Sequence, residues 1–244
     1  MNNTIIKTDS IKEAITLSNL RHIAIIMDGN RRWAKSKNLP SMFGHKEGVK
    51  ALKRTLQAAS DFGIKYLTVY AFSTENWGRK QDEVEFLMRL LNDTVRNEIK
   101  EMHENNVRVR IIGDLQPLSE GLKATLKHAE ELTCQNSGVN LQIAINYGSR
   151  NEITNAVKRI LKDIKDPEQI TDQLISDYLY TFGIPDPDLL VRTGGENRVS
   201  NYLLWQIAYT ELYVTDTFWP EFGEKALLEA AHSFVNRNRR FGKD

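Results

Sequence analysis

Short apolar runs alternate with longer segments of helical periodicity along most of the chain. Runs of this length predict buried strands, and their alternation with helices predicts an α/β fold: one mainly parallel sheet of about six strands with helices on both faces. The predicted strands are 22–27, 66–72, 107–112, 141–146 and 189–192, with a weaker sixth at 212–215. The predicted helices are 48–62, 82–105, 119–133, 152–163, 173–180 and 224–238.

No internal repeat, low-complexity tract or linker rich in proline and glycine interrupts this alternation. We therefore expect a single domain over residues 21–244. Residues 1–20 are interpreted as an N-terminal extension that forms a short amphipathic helix from Ser10. This segment contains acidic residues and no continuous apolar core, so it does not resemble a signal peptide.

Composition narrows the class of protein. Lys and Arg number 33 against 32 Asp and Glu, so the overall charge predicts no nucleic-acid partner, and any anion specificity has to come from a local cluster. The single Cys134 excludes an internal disulfide, and no Cys/His spacing indicates zinc, which favours a cytoplasmic location. No apolar run is long enough to span a membrane.

A polar cluster comes after the first predicted strand. Asp28, Gly29, Asn30, Arg31 and Arg32 come directly after its last apolar residue. The carboxylate of Asp28 suits a hard cation such as Mg²⁺, and the planar guanidinium of Arg32 suits phosphate oxygens. Because ligands bind at the carboxyl ends of strands in such sheets, the cluster predicts a site for a metal-bound diphosphate. The alternative is an ordinary strand-to-helix turn in which Asp28 is a cap.

Similar clusters come after the second and fifth predicted strands. The segment 73–79 contains hydroxyls, an amide, Trp77 and an arginine, although a tryptophan at such a position is more often a core residue. Farther on, Arg192 and Arg198 bracket a Gly-Gly turn that could direct both guanidiniums at one anion. The alternative for this third cluster is an exposed loop with salt bridges.

Two titratable residues are open to more than one interpretation. Glu211 lies within an apolar stretch, where its carboxylate needs a partner, and a metal ion shared with Asp28 would be one. His45 by itself is more often a helix-start or packed histidine than a catalytic one.

The predicted helix 82–105 has a wide apolar surface. Apolar residues recur at three- and four-residue spacing, and Phe86 and Leu90 extend them to a second side. The helix is therefore either buried on two faces or lines a channel for a hydrocarbon chain.

Taken together, the three clusters resemble the cis-prenyltransferase family, and most closely its bacterial undecaprenyl diphosphate synthases. The similar stretches are HIAIIMDGNRRWA around Asp28, FGH ending at His45, LTVYAFSTENW ending at Trp77 and VRTGGENRVSNYLLWQIAYTELYVTDTFWPEF from Val191. The resemblance covers roughly residues 20–242. The chain contains no Asp-Asp pair and so is unlike the trans-prenyl synthases.

The resemblance implies an enzyme that adds isopentenyl diphosphate units with cis geometry to farnesyl diphosphate. The implied product is a long polyprenyl diphosphate such as undecaprenyl diphosphate, a precursor of the lipid carrier for cell-wall synthesis. Mg²⁺ is the implied cofactor, bound by Asp28 and Glu211. A homodimer is also implied, with Arg240 and Gly242 reaching the partner's active site, together with peripheral membrane contact for product release.

The resemblance assigns catalytic roles to Asp28 and Asn76. Since a neutral amide is a weak base, we interpret Asn76 as an orienting hydrogen-bond partner and leave the proton acceptor unassigned, with the departing diphosphate as a candidate. Arg192, Arg198 and Ser200 would hold the diphosphate of isopentenyl diphosphate. The full set of implied binding residues is Gly29, Asn30, Arg31, Arg32, Trp33, His45, Ser73, Thr74, Glu75, Trp77, Arg79, Arg192, Arg198, Val199 and Ser200.

The chain departs from the family pattern at three positions. Arg31 stands where glycine is frequent, Ser41 where a basic residue is common, and Lys80 where proline is usual.

Two other classes of protein fit the sequence less well. A phosphatase of the haloacid dehalogenase type needs a second carboxylate where Asn30 stands, and a non-catalytic partner subunit would have lost Asp28 and the arginines, which this chain keeps.

Overall fold

The computed structural model of the chain describes residue 15 and residues 18–237. The helix predicted from Ser10, the end of the last predicted helix at Asn238, and the implied cross-dimer residues Arg240 and Gly242 lie outside the described residues. The division between an extension at 1–20 and a domain at 21–244 therefore stays a prediction.

Strands and helices alternate through the described residues, as the apolar pattern predicts. The strands are β1 (His22–Ile26), β2 (Tyr66–Ser73), β3 (Arg108–Ile112), β4 (Asn140–Tyr147), β5 (Leu189–Arg192) and β6 (Glu211–Val214). The α-helices are α1 (Asn30–Ser36), α2 (Ser41–Asp61), α3 (Gln81–Glu104), α4 (Glu120–Thr133), α5 (Ser149–Asp163), α6 (Asp172–Asp177) and α7 (Glu224–Val235). Short 3-10 turns cover Thr74–Gly78, Pro167–Gln169 and Trp219–Glu221.

The prediction of a single α/β domain is confirmed, because the six strands belong to one parallel sheet. Within the domain, residues cluster into two compact units. The first unit contains residues up to 67, 187–197 and those from 209 onward, and the second contains 68–186 and 198–208.

In the first unit, β5 pairs in parallel with both β1 and β6. The register places Ile26 beside Arg192 and Arg192 beside Val214, so these three strands end at the same level. Because parallel strands end at a common edge, the polar residues directly after β1 and β5 lie next to each other. In the second unit, β3 and β4 pair in the same parallel manner.

The structure differs from the predicted pattern most clearly at α1 and α2. A seven-residue helix at Asn30–Ser36 has no predicted counterpart, and α2 begins at Ser41 instead of residue 48. Glycines usually weaken a helix, but Gly48 is required here by close packing, since a Cβ atom there would lie 3.0 Å from the indole of Trp219. Buried Trp219 also donates from Nε1 to the Gly48 carbonyl at 2.9 Å. Tertiary packing therefore explains why α2 continues through Gly48 despite the low helix propensity of glycine.

Candidate active site

Asp28 is the centre of a cationic cluster in the first unit. It lies two residues beyond β1, and its Oδ2 is 2.9 Å from Nη2 of Arg192. Its Oδ1 is 3.1 Å from Nη2 of Arg32 and accepts the N–H of Gly29 at 2.6 Å. Burial acts to raise the pKa of Asp28, but these contacts outweigh burial and lower the pKa below its ordinary value. Asp28 is therefore held as a carboxylate.

Arg192 lies at the end of β5 and is 5% exposed. The parallel register places it beside Ile26, which brings its guanidinium to Asp28. The next residue, Thr193, is fully buried and donates from its hydroxyl to the Asp28 carbonyl at 2.7 Å. The end of β5 thus fixes both the side chain and the main chain of Asp28.

Arg32 is oriented by the glycine turn that comes after β5. Its Nη1 donates to the Gly194 carbonyl at 2.6 Å and lies 3.4 Å from Oε1 of Glu196, and its guanidinium stands 5.5 Å from the ring centre of Phe218. Gly194 has a φ of +82°, and a Cβ atom there would lie 2.7 Å from Nη2 of Arg32. The turn therefore needs glycine for its backbone conformation and for the space that Arg32 occupies.

Two other residues of α1 make contacts away from Asp28. Asn30 donates from Nδ2 to the Met27 carbonyl at 3.1 Å, and its Oδ1 would lie 2.6 Å from a Cβ atom at Gly48 of α2. Trp33 donates from Nε1 to Oε1 of Glu221 at 3.0 Å. These two side chains join α1 to the Met27 carbonyl and to Glu221. Their implied contact with substrate stays a prediction.

Three more positions of the first unit are placed at or near the surface. Arg31 and Ser41 are exposed, and His45 is half-buried in α2. The predicted roles of Arg31 and His45 in binding a diphosphate stay predictions.

The sheet register does not place Glu211 next to Asp28 within one chain, and the metal ion that the two residues are expected to share stays a prediction. Glu211 is the first residue of β6 and pairs with Leu189, which in turn pairs with Ile23. It is therefore level with a residue five positions before Asp28, a separation along the strands of roughly 16 Å at about 3.3 Å per residue. The carboxylate of Glu211 instead lies 2.7 Å from Nη1 of Arg237.

A tight turn carries the candidate residues of the second unit. After β2, the 3-10 turn Thr74–Gly78 is closed by the Ser73 N–H, which donates to Oδ1 of Asn76 at 3.1 Å. An acceptor already engaged by the backbone is poorly suited to take a proton, which supports the interpretation of Asn76 as an orienting group. Trp77 is 40% exposed and is not the core residue that its type favours.

Trp77 is held by a residue that the sequence pattern did not single out. Its Nε1 donates to Oδ1 of Asn146 at 2.7 Å, and its ring meets Phe72 edge-on. Asn146 is 5% exposed, has a φ of +45° and donates from Nδ2 to the Asp114 carbonyl at 2.7 Å. Its position at the end of an apolar strand, like that of Asp28, is the signal that could have revealed it.

The remaining candidates of the second unit lie on its surface or partly so. Arg79 lies 3.0 Å from Glu83 across one turn at the start of α3. Arg198 and Ser200 are exposed and Val199 is half-buried. Because Arg192 belongs to the first unit and Arg198 to the second, their convergence on one anion stays a prediction.

The Asp28 cluster combines an anion with two guanidiniums and a glycine turn, which suits a polyanion that carries a metal ion. Comparisons with known proteins agree with this chemistry. A family model described as putative undecaprenyl diphosphate synthase matches residues 26–242. The chain belongs to this family. The protein is a prenyltransferase, and the resemblance of its motifs is thereby confirmed.

Individual relatives cover almost the whole chain. An isoprenyl transferase of Streptococcus mutans is 51% identical over 240 residues, 95% of this chain and 96% of that protein. A Vibrio vulnificus ditrans,polycis-undecaprenyl-diphosphate synthase, named as specific for (2E,6E)-farnesyl diphosphate, is 49% identical over 91% of this chain and 90% of its own. The crystal structure of lavandulyl diphosphate synthase from Lavandula x intermedia in complex with dimethylallyl diphosphate has a TM-score of 0.89 and 38% identity, covering 93% of this chain and 100% of that one.

No helix within the described residues has the length and apolar character needed to cross a membrane.

Replacing Arg192 by Met should raise the pKa of Asp28 toward its ordinary value, since the hydrogen bond that offsets burial is lost. A carboxylate with a lowered folded-state pKa stabilises the fold above its unfolded-state pKa, and this contribution is lost as the pH falls through the folded-state value. The free energy of unfolding of Arg192→Met should therefore differ most from that of the unchanged protein near neutral pH, and less in acid. Carbon NMR titration of Asp28 and urea unfolding at several pH values measure both effects.

Arg237→Met is the matched control, because it breaks a different arginine–carboxylate contact of the first unit, the one with Glu211. It should leave the Asp28 titration unchanged. An Asp28 pKa that stays low in Arg192→Met would show that Arg192 does not set it.

Proposed function

We propose that this protein condenses isopentenyl diphosphate repeatedly onto farnesyl diphosphate with cis geometry. The product would be undecaprenyl diphosphate, precursor of the lipid carrier for cell-wall synthesis. The observation that carries the proposal is 49% identity, over nine-tenths of both chains, to a farnesyl-specific undecaprenyl diphosphate synthase.

Mg²⁺ fits this site as an ion carried by substrate. Among the described residues no group of three acidic, histidine or cysteine side chains could enclose a metal ion. Mg²⁺ is commonly bound through one or two carboxylates together with substrate phosphates and water, and Asp28 supplies one carboxylate next to two cationic side chains. When bound, the ion would offset the negative charge that develops on the departing diphosphate.

In this proposal the residues around Asp28 have separate roles in binding and orienting the two substrates. Arg32 would hold the allylic diphosphate, which the turn at Gly29 lets approach the main chain, and the charge of Arg32 would favour its departure. Arg192, with Arg198 and Ser200, would bind the diphosphate of isopentenyl diphosphate and orient its double bond toward the allylic carbon. Asn76 would orient the reacting groups without taking the proton, since its Oδ1 accepts a main-chain N–H.

The hydrocarbon would lie along α3. Large apolar residues of this helix are only half-buried, although they have the spacing of a core face. They are Phe86, Leu87, Met88, Leu90 and Leu91. Their partial burial supports the interpretation of α3 as one wall of an apolar channel.

The proposal also concerns the oligomeric state of the protein and its location in the cell. The protein would act as a cytoplasmic homodimer, with Arg240 and Gly242 of one chain completing the site of the other. The product, an apolar chain with a charged head, would leave through transient contact with a membrane surface.

The proposed reaction is tested with purified protein, labelled isopentenyl diphosphate, Mg²⁺ and one of two primers. Farnesyl diphosphate should give long cis-polyprenyl diphosphates and inorganic diphosphate. The second primer is dimethylallyl diphosphate, the molecule bound in the lavandulyl diphosphate synthase structure, and product from this primer but not from farnesyl diphosphate would overturn the proposed substrate. Release of single phosphate would indicate a phosphatase, and the absence of any product would indicate a non-catalytic partner subunit.

Asp28→Asn should lower the condensation rate at least about 100-fold, since an amide cannot replace the carboxylate that meets the metal-bound diphosphate. Asn is preferred to Ala because removing the whole side chain would leave the buried Arg192 without this partner, at a cost of about 3–5 kcal/mol in stability. The measurements are the rate at saturating substrate, its Mg²⁺ dependence and the melting temperature. Asp61→Asn, at the exposed end of α2, is the control. If Asp28→Asn kept more than about a tenth of the activity, which corresponds to a barrier change below roughly 1.4 kcal/mol, Asp28 would not have the proposed role.

Ala71→Leu should shorten the products while leaving the melting temperature nearly unchanged. Ala71 is half-buried in β2 and, as the neighbour of the buried Phe72, points to the other face of the sheet, which in this proposal lines the channel. Ala144→Leu is the control, because Ala144 is fully buried in β4. Overpacking there should cost about 1–3 kcal/mol of stability without changing product length. Normal products from a destabilised Ala71→Leu would mean that this position is only core.

A further inference from the structure

The segment that comes after the glycine turn has an unusual backbone. Ser200, Asn201 and Leu203 all have positive φ values, of 47°, 59° and 50°, and none of them is glycine. This conformation is unfavourable for residues with a Cβ atom and persists only where surrounding contacts fix it. The contacts that fix it here centre on Asn201.

Asn201 is joined to the start of α5 through both its main chain and its side chain. The Asn201 carbonyl accepts the N–H of Ser149 at 2.8 Å, and its Oδ1 accepts the N–H of Arg150 at 3.0 Å. The first N–H groups of a helix have no partner within the helix, so Asn201 acts as a cap supplied from a distant part of the sequence. Leu204 adds a third link, because its N–H donates to Oγ of Ser149 at 3.0 Å.

The other end of the Asn201 amide reaches the turn after β2. Nδ2 donates to Oε1 of Glu75 at 2.8 Å. Burial acts to raise the pKa of Glu75, but the bond from Asn201 and the hydrogen bonds from its own backbone, Ser73 and Thr74 outweigh it and lower the pKa. Glu75 is therefore an anion that accepts a hydrogen bond from Asn201.

Packing leaves Asn201 little freedom to move. A Cβ atom at Gly148 would lie 2.8 Å from Nδ2 of Asn201 and 2.5 Å from Oγ1 of Thr74. The next residue, Tyr202, is fully buried and stacks on Tyr70 of β2 with ring centres 4.3 Å apart. The start of α5, the turn after β2 and the segment around Asn201 thus form one tightly packed junction.

We propose that Asn201 is a positioning residue: its single amide fixes Ser200 relative to the turn that carries Glu75, Asn76 and Trp77, using the start of α5 as the common support. The inference rests on the proposed function, because Ser200 and Asn76 matter to the reaction only if they meet the two substrates. Asn201 touches neither substrate in this scheme.

The amide is suited to this role because it accepts and donates at the same time. An aspartate at 201 would still accept the N–H of Arg150 and would favour the positive end of the helix dipole. It would, however, place a second carboxylate against Glu75. Asn201→Asp therefore keeps the cap and breaks only the link to the turn.

The test is a double-mutant cycle of Asn201→Asp, Glu75→Gln and the two together. Asn201→Asp should lower kcat/KM for isopentenyl diphosphate about 10- to 100-fold, the effect expected from misplacing reacting groups by about 1 Å. In the double variant the amide of the glutamine donates to the new aspartate, so the hydrogen bond returns with its direction reversed. Its kcat/KM should exceed the product of the two single effects at least about tenfold.

Asn151→Asp is the matched control, since it adds the same charge in the first turn of α5 and keeps the acceptor used by Asn155. It should change kcat/KM less than about twofold. Asn201→Gly is the second variant, should Asn201→Asp fail to fold. Glycine tolerates the positive φ but has neither side-chain bond, so it should show the loss without any rescue by Glu75→Gln.

Amide hydrogen exchange separates this inference from the proposed function, because it needs no substrate. Exchange at residues 73–78 should quicken in Asn201→Asp and slow again in the double variant, with Arg150 protected in both. The protein without substitutions could prove inactive while the variants show this exchange pattern. That result would refute the proposed function and retain the role of Asn201 as the link. Unchanged exchange at 73–78, or single effects that simply multiply in the double variant, would overturn the inference.

Discussion

Arg192 is 5% exposed, and a buried charge needs a counter-charge at hydrogen-bond distance. Asp28 provides it because β1 and β5 are parallel neighbours whose ends coincide. Once this pair is fixed, the rest of the first unit's site is determined as well. Gly29 turns the chain into α1, α1 presents Arg32, and the turn at Gly194 accepts Arg32 from the other side. The pair therefore links the register of the sheet to the position of every charged group around it.

The same pair bears on how two diphosphates could bind in the proposed reaction. Separating Asp28 from Arg192 without compensation would leave two poorly hydrated charges. A substrate that brings both a cation and an anion avoids this cost, since Mg²⁺ can take the carboxylate while a diphosphate takes the guanidinium. Neither half of that exchange is favourable alone. The arrangement thus favours a metal-bound diphosphate over a free metal ion or a metal-free anion.

Sequence patterns predicted the strands and the location of Asp28, because the strands depend on local alternation and Asp28 stands directly after an apolar run. They did not predict the partner of Glu211, since its distance from Asp28 depends on the register of β6, which no short-range pattern encodes. Asn146 and Asn201 were missed for a related reason. Their importance comes from positive φ values and from partners far along the chain. The end of an apolar strand gives a sign of this at Asn146, whereas the loop that contains Asn201 gives none. The helix α2 also begins earlier than its glycines suggest, since close packing at Gly44 and Gly48 favours glycine there despite its low helix propensity.

The partial burial of α3 has an energetic consequence for an enzyme that lengthens a hydrocarbon. At about 0.8 kcal/mol for each buried CH₂, every added five-carbon unit would strengthen binding by up to about 4 kcal/mol if it were fully enclosed. A few units would bring affinity to the limit of about 18–21 kcal/mol reached by the tightest complexes, and the product could not leave. In the channel proposed along α3, half-buried walls such as Phe86, Leu87 and Met88 would reduce the gain for each unit. A channel of this kind can accept a growing chain and still release it, provided that a membrane surface receives the apolar end.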